Sequence, residues 1–247
     1  MPSAFRRLTD YQWEVIKPFL KNNQPKKLIL RDVVEAIRRV RDLEGNYPKW
    51  QSVYYYYSKW SRDGTSKLIM RALSSMEREN CDRQVKPSLL AFDSQSVKAA
   101  PFVHEERGID GGKNVNGRKR HIAVDTQGLP WAVYVGRANQ HDGEAGLELL
   151  HQLDSVGMDR LKTIRGDSAY GGVFAEGARW YGWEVDTTQA PPTEQGFVPQ
   201  ENRWQVERSF AWLNGYRRLS KDYEKKTSSS EAFIALAFAD MILARFN

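Results

Sequence analysis

The sequence predicts an α/β protein, with a small all-α domain over residues 1–87 and a mixed sheet flanked by helices over residues 88–247. Two observations lead to this prediction. In the first third of the chain, apolar residues recur every three or four positions, which is typical of amphipathic helices. Further on, short apolar runs of strand length alternate with helical stretches, a pattern that favours a sheet with helices on its faces.

The helical domain is predicted from start and stop signals along the chain. Thr9, with Gln12 three residues later, forms a capping-box pattern ahead of an amphipathic stretch. A second amphipathic helix is predicted over 30–40 and a third over 50–60, although the tyrosine run inside the third also occurs in strands. Thr65 is expected to cap a fourth helix that leads towards the sheet domain.

The sheet domain is predicted to contain a strand, a hairpin, a helix, a strand, a helix, a strand and two final helices. The hairpin follows from two strand-like runs that flank the turn residues 127–130. Three adjacent antiparallel strands followed by parallel crossovers describe a mixed sheet. The predicted ranges are 88–93, 119–125, 131–135, 144–156, 161–167, 173–181, 183–186, 203–213 and 231–245.

Charge and composition limit the classes of protein that fit. The chain has 247 residues with a net charge of +6, and residues 1–87 hold 18 Lys and Arg against 10 Asp and Glu. The excess of positive charge therefore lies in the helical domain, where it favours a polyanionic partner or, alternatively, forms an ordinary solvated surface. The single cysteine, Cys81, excludes an internal disulfide and a cysteine zinc cluster. With no long apolar run and no signal-peptide pattern, we expect a soluble cytoplasmic protein, associated with the nucleoid if it binds DNA.

The helical domain also contains a pattern that favours DNA binding. A helix, a short turn and an aromatic helix over residues 30–62 resemble a helix-turn-helix-like module, in which one helix enters the major groove. Tyrosine rings can stack and their hydroxyls can donate to phosphates. The alternative is a helical bundle with aromatic packing and dimer contacts. The candidate DNA contacts here are Arg31, Arg38, Tyr54, Tyr55 and Lys59.

Two further basic stretches are candidates for contact with the DNA backbone. A glycine-rich loop over 101–117 runs straight into a basic triplet, and a second basic stretch covers 217–226. Each is also compatible with an ordinary solvated surface. The candidate contacts are Lys113, Arg118, Lys119, Arg120, Arg217, Arg218 and Lys221.

Three carboxylates stand out from the others. Asp93 and Asp167 each end an apolar strand-like run, and Glu207 lies within an apolar and aromatic helix. Acids at the ends of adjacent strands, with a third on a covering helix, would meet at one edge of the sheet, where they suit Mg²⁺. Two such ions can activate a nucleophile and stabilise a leaving oxygen at phosphorus. The alternatives are turn capping for both aspartates and a helical ion pair with Arg203 for Glu207.

These residues resemble a known family, the DDE transposases of bacterial insertion sequences in the IS-five branch. The resemblance extends over nearly the whole chain and is carried by several long motifs in the right order. The motifs are Leu8–Trp13, Trp50–Tyr54, Asp93–Lys98, Gly117–Ile122, Val124–Thr126, Gly166–Tyr170, Arg203–Leu213 and Arg217–Glu224.

The resemblance implies an RNase H-like catalytic fold. It also implies that Asp93, Asp167 and Glu207 are the catalytic triad that binds Mg²⁺, with Mn²⁺ as a substitute and two ions per site. Arg203 and Glu207 keep the family's Arg-x3-Glu spacing, whereas Asn214 stands in its Lys position and Gln200 in its Tyr position. Arg217 or Lys221 could replace that lysine, and Arg203 and Arg208 either steady phosphates or form ion pairs within the helix.

The activity implied is DNA transposition: hydrolysis of a phosphodiester at the transposon end, then attack of the freed 3′-hydroxyl on target DNA. The expected partner is double-stranded DNA, both ends and target. Because two ends must be held together, a homodimer or larger assembly on DNA is expected. Two other functions remain open. One is a DNA-binding regulator derived from a transposase, and the other is a structure-specific nuclease on the same fold.

Overall fold

The computed structural model describes residues 7–23, 28–39, 47–187 and 204–246. Its first part is helical, as predicted. Thr9 accepts a hydrogen bond from the Gln12 amide at 3.2 Å, and the Gln12 side chain accepts one from the Thr9 amide at 3.1 Å, so the capping box is confirmed. The helices of this part are α1 (Asp10–Ile16), a 3-10 helix (Lys17–Asn23), α2 (Leu30–Arg39), α3 (Trp50–Arg62) and α4 (Thr65–Asn80).

Two details of these helices bear on the sequence analysis. The tyrosine run is helical, since residues 54–57 lie inside α3. Thr65 is not the cap of α4 but its first residue. The N-cap is Gly64, and the preceding Asp63 accepts hydrogen bonds through its Oδ1 from the Thr65 amide at 3.0 Å and the Thr65 hydroxyl at 2.6 Å.

The sheet has the mixed topology that the sequence predicts. Within the described ranges it contains six strands in the order β2-β3-β1-β5-β6, with β4 also paired to β3. β1 and β4 run antiparallel to β3, whereas β5 and β6 run parallel to β1. The predicted α/β class, a mixed sheet with antiparallel and parallel strands, is therefore confirmed. The strands are β1 (Leu89–Lys98), β2 (Gly108–Asp110), β3 (Val115–Val124), β4 (Pro130–Arg137), β5 (Thr163–Arg165) and β6 (Glu184–Asp186).

Strand β2 changes the interpretation of the glycine-rich stretch over 101–117. Gly108 pairs with Gly117, and Asp110 with Val115, so the second half of this stretch is a short hairpin rather than a loop. A side chain at Gly117 would meet the carbonyl oxygen of Val97 at 2.0 Å. Glycine therefore allows β3 to run close against β1 at this point.

Helices cover both faces of the sheet. α5 (Asp142–Asp154) and α6 (Gly172–Trp180) pack against Leu90 and Phe92 of β1. On the other face, α7 (Trp204–Asn214) and α8 (Thr227–Leu243) pack against Ala91 of β1. Successive side chains of a strand point to opposite faces, so the alternation along β1 separates the two cores. None of the helices in the described part of the chain is long and apolar enough to cross a membrane.

The helical domain and the sheet domain meet at α8. Ala232, Ala239 and Ile242 of this last helix share one buried cluster with Leu20 and Trp60 of the first domain. Other residues of α8, including Ile234 and Phe238, belong to the core beneath the sheet. The final helix therefore stabilises both parts of the chain, and the division at residue 87 remains a prediction from the sequence.

Candidate functional site

The register of the parallel strands brings two of the predicted acids to neighbouring positions. Ala91 of β1 pairs with Arg165 of β5. Asp93 and Asp167 each lie two residues further on, so both fall at the same edge of the sheet. The prediction that Asp93 ends its strand is wrong, because Asp93 lies in the middle of β1. The strand continues because Asp93–Lys98 pair residue by residue with β3.

The face on which Asp93 lies is the one that α7 covers. Asp93 is directly opposite Ile122 on β3, and paired residues of adjacent strands share a face. Ile122 is buried in the same cluster as Val206 of α7. Since Glu207 follows Val206 in the sequence, the helix that carries the third acid packs on the correct face of the sheet.

The third acid is exposed although its helix is apolar and aromatic. Val206, Phe210 and Leu213 occupy the buried side of α7, and Glu207 lies on the exposed flank. Among the residues that the structure describes, no three His, Cys, Asp or Glu side chains are grouped closely enough to hold a metal ion. The convergence of Asp93, Asp167 and Glu207 on one site therefore stays a prediction. The alternative role of Glu207, an ion pair with Arg203, stays open because Arg203 is not among the residues that the structure describes.

Both aspartates make local hydrogen bonds. Oδ1 of Asp167 accepts from the Ala169 amide at 2.9 Å and caps the 3-10 helix Ser168–Tyr170. Oδ1 of Asp93 accepts from the Ser94 amide at 2.7 Å. The turn-capping role that was open for Asp167 is thus present, and it uses one carboxylate oxygen.

A third aspartate at this edge was missed by the sequence analysis. Asp186 ends β6 directly opposite Arg165, and its Oδ2 accepts a hydrogen bond from the Arg165 Nε at 3.0 Å. This ion pair lies beside the predicted aspartates, at the carboxyl ends of the parallel strands. The signal was available, because the predicted strand 183–186 also ends in a carboxylate.

The basic triplet on β3 is buried, and the prediction that it contacts DNA is wrong. The side chains of Arg118 and Arg120 are 0% and 1% exposed, and Lys119 pairs with Asp142 at 2.8 Å. Alternation along a strand between two helical layers sends every one of these side chains into a core. Burial lowers the pKa of Arg120 to about 10. Arg118 and Arg120 instead donate hydrogen bonds to the backbone carbonyls of Glu105, Leu219, Lys221, Glu224 and Lys225.

The predicted contacts in the helical domain fall into two groups. Arg31 pairs with Asp10 at 2.7 Å, and the Arg38 Nε donates to Asp240 at 2.6 Å, so both charges are compensated within the protein. Tyr54 and Tyr55, in contrast, are 60% and 56% exposed on α3. Lys59 is half-buried on the same helix.

The remaining predicted contacts are mostly on the surface. Lys113, Arg217 and Lys221 are exposed. Arg218 is also exposed but pairs with Glu224 at 2.6 Å. Arg208 is stacked between Trp204 and Trp212, with its guanidinium carbon 4.1 Å and 4.7 Å from the two ring centres. Burial, followed by the nearby Arg245, lowers its pKa. Arg203 lies outside the described residues.

Family models match most of the chain. Two models described as "Transposase DDE domain" match residues 84–184 and 176–244, and together they span 84–244. A third, described as "Putative transposase of IS4/5 family", matches residues 8–70. The matches thus cover both the helical part and the sheet with its flanking helices.

Individual relatives are more distant. The chain is 30% identical over 127 residues to a Burkholderia cepacia protein described as "Putative transposase for insertion sequence element IS402". The match covers 49% of this chain and 60% of that relative's length.

Solved structures show only a loose similarity. The catalytic core domain of BIV integrase is 14% identical, with a TM-score of 0.39 over 60% of this chain and 81% of that one. The Mos1 mariner paired end complex with Mn is 8% identical, with a TM-score of 0.33 over 100% of this chain and 79% of that one. Similarity at this level does not bear on what the present chain binds or does.

Proposed function

Since the chain belongs to the DDE transposases of bacterial insertion sequences, we propose that it binds the ends of its own element as double-stranded DNA, hydrolyses a phosphodiester there and transfers the freed strand to target DNA. The observation that carries this proposal is the register between β1 and β5. Ala91 pairs with Arg165, so Asp93 in β1 and Asp167 just after β5 each follow this pair by two residues, at the same end of the two parallel strands.

The donor chemistry of this edge fits a divalent cation. Asp93 and Asp167 are both half-buried, and two carboxylates brought close together at this edge would be stabilised by a cation between them. Carboxylate oxygens are the ligands that Mg²⁺ prefers, and Mn²⁺ accepts them as well. We infer that these two aspartates hold the cation, with Glu207 as the third ligand and two ions per site. When bound, such ions supply a nucleophile at neutral pH and stabilise the leaving oxygen.

Other side chains of this chain would hold the DNA. Lys113, Arg217 and Lys221 are exposed cations suited to phosphate contacts, and either Arg217 or Lys221 can take the role of the lysine that Asn214 replaces. Tyr54 and Tyr55 offer exposed rings and hydroxyls on α3. Because two ends must be joined to one target, we propose a homodimer or larger assembly on DNA. We expect the protein to act in the cytoplasm, at the nucleoid, where its substrate lies.

The test combines the purified protein with Mg²⁺ or Mn²⁺, a labelled duplex carrying one element end, and a target plasmid. Joined products support the proposal. Cleavage without joining would indicate a structure-specific nuclease, and binding alone a regulator, and either result would contradict transposase activity.

The variant Asp167→Asn tests the sheet edge directly. We expect it to abolish cleavage and to leave DNA affinity within about twofold, since phosphate contacts dominate affinity and come from other residues. The matched control is Asp154→Asn, the same change at an exposed position at the end of α5. Normal cleavage by Asp167→Asn would remove this residue from the site.

A further inference from the structure

The tip of the β3–β4 hairpin holds the helix that carries Glu207. Ser209 of α7 is fully buried, and its hydroxyl lies 3.0 Å from the carbonyl oxygen of Gly128 and 2.8 Å from that of Gln205. The neighbouring Arg208 donates from Nη2 to the carbonyl oxygen of Gln127 at 2.8 Å. Two successive residues of α7, both directly after Glu207, therefore bind successive carbonyls of one turn.

That turn is itself rigidly held. Asp125 is fully buried, and its Oδ1 accepts from the amides of Gln127 and Leu129 at 2.8 Å and 3.0 Å. Its Oδ2 forms an ion pair with the Nη1 of Arg78 on α4 at 2.5 Å. A buried charge with this many partners is costly to displace. The turn thus provides a fixed reference to which α7 is attached.

Gly128 makes this attachment close. Its φ of +78° lies in the left-handed region that favours glycine. A side chain at this position would also meet the Ser209 hydroxyl at 3.0 Å, the Arg208 Nη2 at 3.2 Å and the Trp212 ring at 3.3 Å. The helix therefore sits directly on the bare backbone of the turn.

The stacking of Arg208 gives it one orientation. Its planar group lies between the rings of Trp204 and Trp212, one turn before and one turn after it along α7. The guanidinium carbon is thus close to both rings, while Nη2 donates to the Gln127 carbonyl. A guanidinium held in this way is suited to positioning the helix, because a lysine could neither stack nor orient its donors equally well.

We propose that Ser209 and Arg208 are positioning residues that fix α7 on the hairpin turn and thereby set where Glu207 stands relative to Asp93 and Asp167. This inference rests on the proposed function, because it takes Glu207 to be a ligand of the divalent cation. Loss of either contact would leave α7 folded against the sheet through Val206, Phe210 and Leu213 but free to shift by a fraction of a turn. The expected result is weaker binding of the cation.

The test measures Mn²⁺ binding to the full chain without DNA, by counting free Mn²⁺ with electron paramagnetic resonance. Groups that orient a metal ligand typically contribute about 10–100-fold to metal affinity. We therefore expect Ser209→Ala and Arg208→Lys each to weaken Mn²⁺ binding about tenfold. Arg208→Lys should keep its DNA affinity within about twofold, because it retains the charge.

The chain offers a closely matched control for Ser209→Ala. Ser74 of α4 is also fully buried, and its hydroxyl likewise lies near the carbonyl four residues earlier, Met70, and a hairpin carbonyl, Pro130, at 3.1 Å and 2.8 Å. Ser74→Ala removes the same group from another helix, α4, at a different carbonyl of the same hairpin. We expect a similar loss of thermal stability but unchanged Mn²⁺ affinity.

Glu207→Gln separates this inference from the proposed function. In that variant, adding Ser209→Ala should weaken Mn²⁺ binding no further, because the ligand being positioned is already gone. Suppose that Ser209→Ala and Ser74→Ala change Mn²⁺ affinity equally while Glu207→Gln weakens it. The positioning role of Ser209 would then be overturned, whereas the role of Glu207 as a cation ligand would be supported. If Glu207→Gln binds Mn²⁺ as the native chain does, the role of Glu207 in the proposed function is overturned, and this inference with it.

Discussion

The sequence predicts two sets of basic and aromatic side chains as DNA contacts. In the structure, one set is buried and the other is exposed. The first set, Arg118, Lys119 and Arg120 on β3, is buried and binds the protein's own carbonyls and carboxylates. The second, which includes Lys113 and the tyrosines Tyr54 and Tyr55, is exposed. The comparison shows that a run of charge on a strand between two helical layers is part of the core, whereas the same charge on a hairpin tip is free to meet a polyanion.

The largest effect is expected at Arg118. Arg118→Met removes a fully buried guanidinium and with it the ion pair to the buried carboxylate of Asp222, 3.3 Å away. Loss of one partner of a buried pair costs about 3–5 kcal/mol. We expect the free energy of unfolding, measured with urea, to fall by that amount.

The DNA affinity of the folded Arg118→Met fraction should stay unchanged, since the side chain is 0% exposed. If Arg118→Met lost DNA affinity while keeping its full stability, this arginine would be a DNA contact on the surface. That result would contradict the distinction between the buried and the exposed set.

The next effect concerns pH and His121, which also lies on β3. The ring is fully buried beside Tyr134, and burial lowers its pKa to about 4, with Asp142 opposing and Lys119 adding to the shift. The folded state therefore keeps this histidine neutral, while the unfolded state takes up a proton below about pH 6.5. Stability is present above that value and is lost as the pH falls from about 6.5 towards 4.

The measurement is the melting temperature between pH 7 and pH 4. We expect His121→Leu to show a smaller decrease than the native chain, because one of the groups that titrates only on unfolding is gone. His104→Leu, at an exposed position, is the control and should follow the native profile. An unchanged pH profile for His121→Leu would indicate that this histidine is not held neutral by the core.

A smaller effect is expected for the exposed tyrosines. Tyr54→Ala should weaken DNA binding about three- to tenfold, the range of one hydrogen bond or stacking contact, and change stability by less than about 0.5 kcal/mol. Tyr57 of the same run is the internal comparison, since it is 8% exposed and its hydroxyl donates to the Ser229 carbonyl at 2.6 Å. Tyr57→Phe should lower stability and leave DNA affinity unchanged. If Tyr54→Ala instead lowered stability without weakening DNA binding, the exposed face of α3 would serve packing and not DNA contact.

The smallest effect is expected at Lys113. Lys113→Ala should reduce the slope of log affinity against log salt by about 0.9, the contribution of one phosphate contact. Lys162 is the matched control, because it is exposed next to the other end of β5, away from the aspartates. Equal slopes for the two variants would show that the hairpin tip over 111–114 does not contact the DNA backbone.

Much of the fold could be predicted because its signals are local. The capping box at Thr9, the apolar spacing of α2 and the turn between β3 and β4 each depend on a few adjacent residues, and each is present in the structure. Asp93 illustrates where local reading fails. The polar residues after it suggested the end of a strand, yet β1 continues, because pairing with β3 depends on residues far along the chain.

The candidate site was predictable to a similar degree. The pattern of acids after apolar strands selected Asp93 and Asp167 as candidates, and the register brings both candidates to one edge of the sheet. The burial of Arg118 and Arg120, and the exposure of Glu207, could not be predicted, because each depends on which helix covers which face.

The amino-acid sequence by itself determined the order of helices and strands, the mixed sheet and the family to which the chain belongs, since periodicity and motifs are properties of neighbouring residues. Only the tertiary structure decided which charges meet solvent, how α7 is held on the hairpin turn, and that Asp186 pairs with Arg165 beside the predicted aspartates. The physical reason is that burial and ion pairing join residues far apart in the sequence, such as Arg38 and Asp240 at a separation of 202 positions. The local periodicity of a sequence does not show which distant residues will meet.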